Sequence, residues 1–183
     1  MNKPTLLTFG GEIGSGKSAL SRAVAERLGW KRVTFVELLR AELVSRGIVQ
    51  PTRAQLQDLG QTWVDTDVTG FARSLLQHAE WRPGDSLVIE AIRHLEILQA
   101  LRELTNPGSV FLVLTELPEE VRMERRRLRG DTEWSDGEGE HRAEAQSHGI
   151  LRQHADVTID TTLPIDTCVE QVMDWLKKQD ASA

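Results

Sequence analysis

The most chemically specific stretch of the chain runs from Gly11 to Ser18 and has the sequence GEIGSGKS. An apolar run precedes it and a long helical pattern follows it, so its glycines stand between a predicted strand and a predicted helix. Such a loop turns backbone N–H groups toward a polyphosphate, and the helix N-terminus adds partial positive charge. The motif therefore predicts a phosphate loop in which Lys17 binds the β- and γ-phosphates of ATP and the Ser18 hydroxyl binds Mg²⁺.

A glycine-rich connection between a strand and a helix can also be a turn and nothing more. The complete Gly-Lys-Ser ending and both flanking elements favour the phosphate site instead, with Lys17 as a catalytic residue. We expect the whole loop and the next helical residue to bind ATP. These residues are Gly11, Glu12, Ile13, Gly14, Ser15, Gly16, Lys17, Ser18 and Ala19.

The loop needs elements to hold it, and strands and helices alternate along the chain. Strands are predicted at Thr5–Gly10, Arg32–Phe35, Ser86–Glu90, Ser109–Leu114 and Asp156–Asp160. Helices are predicted at Lys17–Leu28, Glu37–Arg46, Arg53–Val64, Phe71–Ala79, His94–Leu104, Glu119–Arg129, His141–Gln153 and Asp166–Lys178. The central strands are continuously apolar, which is typical of a parallel sheet covered on both faces. The predicted fold is α/β, a P-loop NTPase three-layer sandwich in which helices cover both faces of a five-stranded parallel sheet.

The carboxyl ends of parallel strands meet at one edge of a sheet, and ligands bind there. Glu90 and Arg93 follow a central strand at this edge, and Glu37 follows the second strand. Glu90 is predicted to orient the Mg²⁺ ion or to act as a base, with a buried structural acid as the alternative. Glu37 is either a substrate-binding acid or an early-turn acid that favours its helix N-terminus.

One helical segment carries an unusual number of arginines. Arg122, Arg125, Arg126 and Arg129 have the spacing of a single helix face, and the eleven residues that follow carry three glycines and five acids. One interpretation is a solvated face with compensating acids. The other is a lid insertion at about 129–142, which would bring Arg125 and Arg129 onto the transferring phosphate as catalytic residues.

Several stretches, taken in order, resemble the P-loop nucleoside-monophosphate-kinase-like family, which includes adenylate kinases and dephospho-coenzyme A kinases. The phosphate loop resembles that of dephospho-coenzyme A kinases, and two later segments are similar to acceptor-phosphate motifs that end in arginine. The stretches are Gly11–Ser18, Thr34–Arg40, Leu87–Arg93, Arg122–Arg129, Arg142–Gln146 and Asp156–Leu163.

The resemblance implies that Arg40 and Arg93 hold the phosphate of the acceptor and that Arg142, at the post-lid helix, binds substrate. Two departures matter for the activity. Dephospho-coenzyme A kinases carry an aspartate in the stretch that matches residues 34–36, and this chain has no acid there. Glu90 and Ala91 stand where the family has aspartate and glycine.

These observations predict a Mg²⁺-dependent ATP phosphotransferase that acts on a nucleoside monophosphate or a similar small acceptor. A phosphate nucleophile is already ionised at neutral pH, so the missing aspartate fits such an acceptor better than a hydroxyl. The alternatives are a dephospho-coenzyme A kinase-like hydroxyl kinase and an ATP-binding regulatory module that is not a kinase.

Length and composition limit the number of domains, the partners and the location that we expect of the protein. The 183 residues are predicted to form a single domain with a net charge of -6, which argues against a nucleic-acid partner. No apolar run approaches the length of a membrane span, and the lone Cys168 is expected to fill the core. We therefore expect a cytoplasmic monomer or homodimer whose partners are ATP and a small nucleotide-like acceptor.

Overall fold

A parallel sheet forms the centre of the computed structural model, which describes residues 4–130 and 149–181. Its strands are β1 (Thr5–Gly11), β2 (Lys31–Thr34), β3 (Leu87–Ile92), β4 (Ser109–Glu116) and β5 (Val157–Asp160). They lie in the order β2-β3-β1-β4-β5, and every neighbouring pair is parallel. The predicted five-stranded parallel sheet is confirmed, and all strand carboxyl ends meet at one edge.

Six helices with defined bounds surround the sheet. They are α1 (Lys17–Leu28), α2 (Phe35–Ser45), α3 (Arg53–His78), α4 (Leu95–Leu104), α5 (Glu119–Leu128) and α6 (Ile165–Ala181). Residues 149–153 are also helical. Beyond Gly130, the predicted lid lies outside the described residues, and so do Arg142 and the first part of the predicted helix that includes it. No helix of the described ranges is both long and apolar enough to cross a lipid bilayer.

The apolar strands build a core on each face of the sheet because successive strand side chains point to opposite sides. Leu6 and Leu112 lie in the core covered by α2, α3 and α4. Their neighbours Leu7 and Val113 lie in the core covered by α1 and α6. Full burial of one such side chain contributes about 1.5–3 kcal/mol. Cys168 is 1% exposed in the second core, which confirms its predicted role as core filler.

Helix α2 begins at Phe35, two residues before its predicted start. The Thr34 hydroxyl accepts a hydrogen bond from the Glu37 backbone N–H at 3.0 Å, and the Glu37 carboxylate accepts one from the Thr34 N–H at 2.8 Å. This reciprocal capping box fixes the helix start and stabilises it by about 1 kcal/mol. The prediction that the strand continues through Phe35 was therefore wrong.

Helix α3 joins two segments that the sequence predicts as separate helices. Asp67 has non-helical angles (φ −156°, ψ 79°) and breaks the element in its middle. Its Oδ1 accepts a hydrogen bond from the Gly70 backbone N–H at 2.8 Å. Asp67 thus acts as a cap for the second segment. The sequence leaves residues 65–70 between the two predicted helices as a connection, and this prediction was wrong because the break occupies the single residue Asp67.

Candidate active site

The phosphate loop connects β1 to α1 and depends on glycine conformations. Gly11 and Gly16 have φ angles of 137° and 84°, which residues with a Cβ rarely adopt. A Cβ added to Gly11 would also lie 2.3 Å from Thr115 Oγ1. The Ser15 and Thr115 hydroxyls lie 2.6 Å apart in a buried hydrogen bond, which ties the loop to the end of β4. The loop therefore has a fixed shape at the carboxyl edge of the sheet.

Lys17 lies at the start of α1 and is only 8% exposed. Its Nζ donates a hydrogen bond to the Glu12 carbonyl at 3.0 Å, so the ammonium group folds back over the loop. Gly16 caps α1 without a side-chain acceptor, and the first turn of this helix contains no acid. A lysine ammonium, a glycine backbone and a helix start without a side-chain cap together fit the triphosphate of ATP.

Ser18 and Glu90 supply the oxygen atoms expected of a Mg²⁺ site. The Ser18 hydroxyl donates a hydrogen bond to Glu90 Oε1, although the two residues lie far apart in sequence. The Ser21 hydroxyl donates to the other carboxylate oxygen, Oε2, at 2.9 Å. Hydroxyl and carboxylate oxygens are the ligands that Mg²⁺ prefers, so these residues fit the predicted ion, which would neutralise phosphate charge here.

Arg32 on β2 completes this network and was missed at the sequence level. Its guanidinium forms an ion pair with Glu90 Oε2, and its Nε donates to the Ser21 hydroxyl at 3.2 Å. Burial raises the pKa of Glu90, but hydrogen bonds from Ser18, Arg32 and Ser21, together with the Arg32 charge, more than offset it. The pKa of Glu90 therefore lies below its ordinary value, and this carboxylate is ionised at neutral pH.

One part of the arginine-rich face of α5 lies directly over the phosphate loop. The Arg122 guanidinium is 3.3 Å from the Glu12 carboxylate, and the Arg122 side chain is 12% exposed. A Cβ built on Gly14 would lie 3.0 Å from Arg126 Cγ and 3.2 Å from Arg122 Cγ. The interpretation of this helix face as fully solvated is therefore wrong for Arg122, which is nearly buried against the phosphate loop.

Arg125 and Arg129, the two arginines predicted to be catalytic, occupy different environments. Arg125 Nη2 donates to the Thr161 carbonyl at 2.7 Å, and the Thr161 hydroxyl donates to the Ser15 carbonyl at 2.7 Å. Arg125 is therefore linked through one residue to the phosphate loop. Arg129 follows the end of α5 and is exposed. The structure thus places Arg125 at the loop and leaves Arg129 at the surface.

A cavity of ≈ 410 Å³ lies between α2, the first segment of α3 and the chain that follows Glu90. Arg40 and Arg93, the predicted phosphate-binding residues, both line it. A third arginine, Arg53, also lines this cavity and was not predicted. Among the described residues that line the cavity there is no aspartate or glutamate. The charged side chains among the described lining residues are therefore all cationic.

Glu37 lies outside this lining. Its carboxylate belongs to the capping box of α2, which gives it the helix-stabilising role that the sequence left open. Apart from its polar residues, the cavity wall consists of apolar and aromatic side chains. The rings of Phe35 and Phe71 are 4.8 Å apart in an edge-to-face arrangement, and Trp63 packs edge-on against Phe71 at 5.1 Å. Trp63 packs against the core and is not one of the lining residues.

Ala91 connects the phosphate loop to the cavity through an unusual backbone. Its φ angle of 70° is left-handed, and it forms a bulge because Phe9 pairs with Glu90 while Gly10 pairs with Ile92. A non-glycine residue pays roughly 1–2 kcal/mol for this conformation. The glycine expected from the family resemblance would adopt this conformation without that cost.

A protein-family model described as an AAA domain matches residues 8–147, which include the phosphate loop, the cavity and α5. The chain belongs to the AAA domain family. This AAA domain is 33% identical over 125 residues to a UPF0200 protein of Aeropyrum pernix, covering 66% of this chain and 64% of the relative. It is 30% identical over 125 residues to a UPF0200 protein of Pyrobaculum aerophilum, covering 68% of this chain and 66% of that one. The matches thus span slightly less than two thirds of each curated relative.

Solved structures with the same fold include several small-molecule kinases. The AAA domain superposes on APS kinase from Mycobacterium tuberculosis with a TM-score of 0.64, at 18% identity and over 97% of this chain and 99% of that one. Shikimate kinase from Acinetobacter baumannii gives 0.62 at 16% identity, over 97% and 94% of the two chains. A gluconokinase from Sinorhizobium meliloti gives 0.60 at 19% identity, over 98% and 95%. These likenesses confirm the P-loop kinase-like fold, and the P-loop nucleoside-monophosphate-kinase-like resemblance is supported.

Proposed function

We propose that the protein is a Mg²⁺-dependent kinase that transfers the γ-phosphoryl group of ATP to a nucleoside monophosphate or a similar small acceptor. The observation that carries this proposal is the end of β3. Glu90 contacts Ser18 of the phosphate loop, and Arg93, three residues later, lines the acceptor cavity. One short stretch of backbone therefore joins the phosphate loop to the cavity, and this supports direct phosphoryl transfer between a nucleotide at the loop and an acceptor in the cavity.

The proposed reaction needs positioning and charge neutralisation more than covalent help from the protein. Lys17 stabilises charge on the β- and γ-phosphates, while Arg40 and Arg93 hold the acceptor phosphate. An oxygen of that phosphate forms a bond to the γ-phosphorus. At the same time the bond between the γ-phosphorus and the oxygen that bridges it to the β-phosphorus breaks, and ADP leaves with the electron pair of that bond. Ser18 and Glu90 would hold Mg²⁺, which neutralises the phosphates when bound, and Arg125 adds positive charge beside the loop.

The lining of the cavity favours a phosphate nucleophile over a hydroxyl. A hydroxyl must lose its proton near the transition state, and a positioned base contributes about 10²–10⁴-fold to such a reaction. The described lining offers three arginines and no carboxylate, so it suits an acceptor that is already ionised. The hydroxyl kinase of the dephospho-coenzyme A type is therefore the second candidate.

A panel of acceptors tests the proposed activity directly. ADP release from ATP and Mg²⁺ is measured with nucleoside monophosphates, deoxynucleoside monophosphates, dephospho-coenzyme A and no acceptor, with Lys17→Ala protein as the control for contaminating kinases. We expect ADP release that depends on a nucleoside monophosphate. Acceptor-independent release, or none at all, would favour the regulatory ATP-binding module instead.

Glu37→Gln tests whether Glu37 serves as the base of a hydroxyl kinase. With the best monophosphate acceptor we expect kcat to stay within about tenfold, below the ordinary contribution of a base. Because Glu37 caps α2, thermal unfolding is measured in parallel so that a loss of folded protein is not mistaken for a loss of catalysis. If dephospho-coenzyme A is the best acceptor and Glu37→Gln removes nearly all activity, the hydroxyl-kinase alternative replaces the monophosphate proposal.

A further inference from the structure

Arg32 extends from β2 toward the carboxylate of Glu90. The two strands pair so that Arg32 lies beside Val88 and Thr34 lies beside Glu90. Val88 belongs to the core under α1, and alternate residues of a strand share a face, so Arg32 and Glu90 both point toward α1. The side chains of Arg32 and Glu90 are 20% and 8% exposed. Two neighbouring strands thus bring a cation and a carboxylate together, largely removed from water, beside the phosphate loop.

The two carboxylate oxygens of Glu90 have different partners. Oε1 accepts a hydrogen bond from the Ser18 hydroxyl. Oε2 accepts from the Arg32 guanidinium and, at 2.9 Å, from the Ser21 hydroxyl. Ser21 is fully buried, and its hydroxyl in turn accepts from Arg32 Nε at 3.2 Å. Arg32 therefore holds Glu90 both directly and through Ser21, at the oxygen that does not contact Ser18.

These contacts fix a side chain that is flexible by itself. A glutamate side chain rotates about several bonds, and it must be held in one geometry to serve as a metal ligand. The planar guanidinium suits this task because its nitrogens have a fixed arrangement and can donate to two acceptors at once. Residues that orient a metal ligand in this way typically change metal affinity or activity by about 10–100-fold when they are substituted.

We propose that Arg32 is a positioning residue for Mg²⁺ binding, which holds Glu90 through Oε2 and so keeps Oε1 at the Ser18 hydroxyl. This inference rests on the Mg²⁺ site of the proposed function. The alternative is that Arg32 only balances the charge of Glu90. The two roles predict effects of opposite sign. As a mere like charge, Arg32 repels Mg²⁺, and its removal strengthens metal binding. As a positioning residue, it is needed for metal binding, and its removal weakens it.

Nucleotide binding with and without metal measures this sign. The ATP analogue AMPPNP is titrated calorimetrically into the protein in Mg²⁺ and in EDTA, and the ratio of the two Kd values gives the factor by which Mg²⁺ strengthens binding. The value in EDTA accounts for any direct effect of the arginine charge on the phosphates. We expect Arg32→Met to lower this factor roughly tenfold.

Arg102→Met is the matched control for a merely structural loss. Arg102 also pairs with a carboxylate, that of Asp156 at 3.3 Å, and its Nε donates to the Val110 carbonyl. Val110 lies near the amino end of β4, whereas the phosphate loop lies at the carboxyl edge of the sheet. Arg102→Met should therefore leave the Mg²⁺ factor unchanged even where it lowers the melting temperature.

A second pair of variants tests whether Arg32 acts through Glu90. In a Glu90→Gln background, Arg32→Met should not lower the Mg²⁺ factor further, because the carboxylate that it positions is gone. A factor that falls equally in both backgrounds overturns the inference. So does a factor that is unchanged or higher in Arg32→Met, or wild-type protein that binds AMPPNP equally well in Mg²⁺ and in EDTA.

These measurements need no turnover, so they separate the inference from the kinase. A Mg²⁺ factor that depends on Arg32, in a protein that shows no acceptor-dependent ADP release, overturns the kinase and retains the inference. Thermal unfolding shows whether each variant is folded. If Arg32→Met does not fold, Arg32→Lys takes its place with the same expected direction, because lysine keeps the charge but has only one nitrogen to donate.

Discussion

The phosphate loop and the cavity that Arg40 and Arg93 line lie beside each other, yet their polar groups are arranged differently. In the loop, the Ser15 hydroxyl pairs with Thr115, and the Ser18 hydroxyl pairs with Glu90. Three arginines, Arg40, Arg53 and Arg93, line the cavity, and the described lining includes no carboxylate. The loop is therefore held in shape by side chains from neighbouring strands, whereas the cavity presents cationic side chains that suit an anionic ligand.

In the proposed kinase, this difference assigns the chemistry to the loop and the choice of acceptor to the cavity. A preorganised phosphate site does not have to reorganise during the reaction. Because it binds the phosphates of ATP, its contribution to the rate should be the same with every acceptor. In the proposed kinase the cavity discriminates, because its arginines bind an acceptor that carries a phosphate more tightly than one that does not. Substitutions in the loop should therefore affect turnover with every acceptor, and substitutions in the cavity should affect some acceptors more than others.

The largest expected effect is that of Lys17→Ala. The loss of its charge beside the phosphates should lower kcat by at least about 10²–10³-fold with every acceptor, while the protein stays folded. Steady-state kinetics and thermal unfolding measure the two properties, and Lys177→Ala, an exposed lysine on α6, is the control. Unchanged turnover in folded Lys17→Ala protein would contradict the phosphate-loop assignment.

Arg93→Lys should give a smaller and more selective effect. Lysine keeps the charge but loses the planar fork that binds a phosphate through two parallel hydrogen bonds. We expect the KM for the acceptor to rise roughly tenfold, corresponding to a loss of ~1.4 kcal/mol, and to rise more than the KM for ATP. Arg127→Lys, in an exposed ion pair with Glu124, is the control. If the KM for ATP rises more than the KM for the acceptor, Arg93 does not bind the acceptor phosphate.

Glu90→Gln should lower stability in a manner that depends on pH. Because folding lowers the pKa of Glu90, its ionised form stabilises the protein above the unfolded pKa, and this contribution is lost as the pH falls through the folded value. We expect Glu90→Gln to be about 1–3 kcal/mol less stable at neutral pH, and the difference to shrink below about pH 4.

Urea unfolding at a series of pH values measures this difference. Glu124→Gln is the control, because that carboxylate also pairs with an arginine but lies exposed on α5. A difference between wild type and Glu90→Gln that stays constant from neutral to acid pH would show that the contacts of Glu90 do not depend on its charge.

Ala91→Gly should have the smallest effect. Glycine relieves the left-handed strain of about 1–2 kcal/mol, but it also gains freedom in the unfolded chain, which offsets about 0.4–1 kcal/mol. We expect an unchanged or slightly higher melting temperature. Ala41→Gly, at an exposed position in the middle of α2, should instead destabilise by roughly 0.5–1 kcal/mol. If both substitutions destabilise equally, the bulge at Ala91 carries no strain.

The sheet and the phosphate loop could be predicted from sequence because their signals are local. The run GEIGSGKS defines a strand-to-helix loop by itself, and continuous apolar strands indicate a covered parallel sheet. The start of α2 was misplaced although its capping box, Thr34 and Glu37, is also local. There the apolar Phe35 suited a strand end as well as a helix start.

The rest of the site could not be predicted because it depends on which strands become neighbours. Arg32 reaches Glu90 only because β2 lies beside β3 in the register that pairs Thr34 with Glu90. A single arginine in a short strand gives no sign of this pairing. Arg53 likewise stands in a segment with many polar residues, and only the packing of α3 beside α2 brings it to the cavity.

The row of rings formed by Phe35, Phe71 and Trp63 gives the protein an internal optical reporter. An acceptor that enters the cavity touches the Phe35 and Phe71 rings, and Trp63 lies edge-on against Phe71 at 5.1 Å. Trp30 and Trp175 are partly buried and pack against the core on the other face of the sheet, and Trp81 donates its indole N–H to the Asp85 carbonyl near the surface. A variant that retains Trp63 and has its other tryptophans replaced would therefore report occupancy of the cavity through its own emission, without a label.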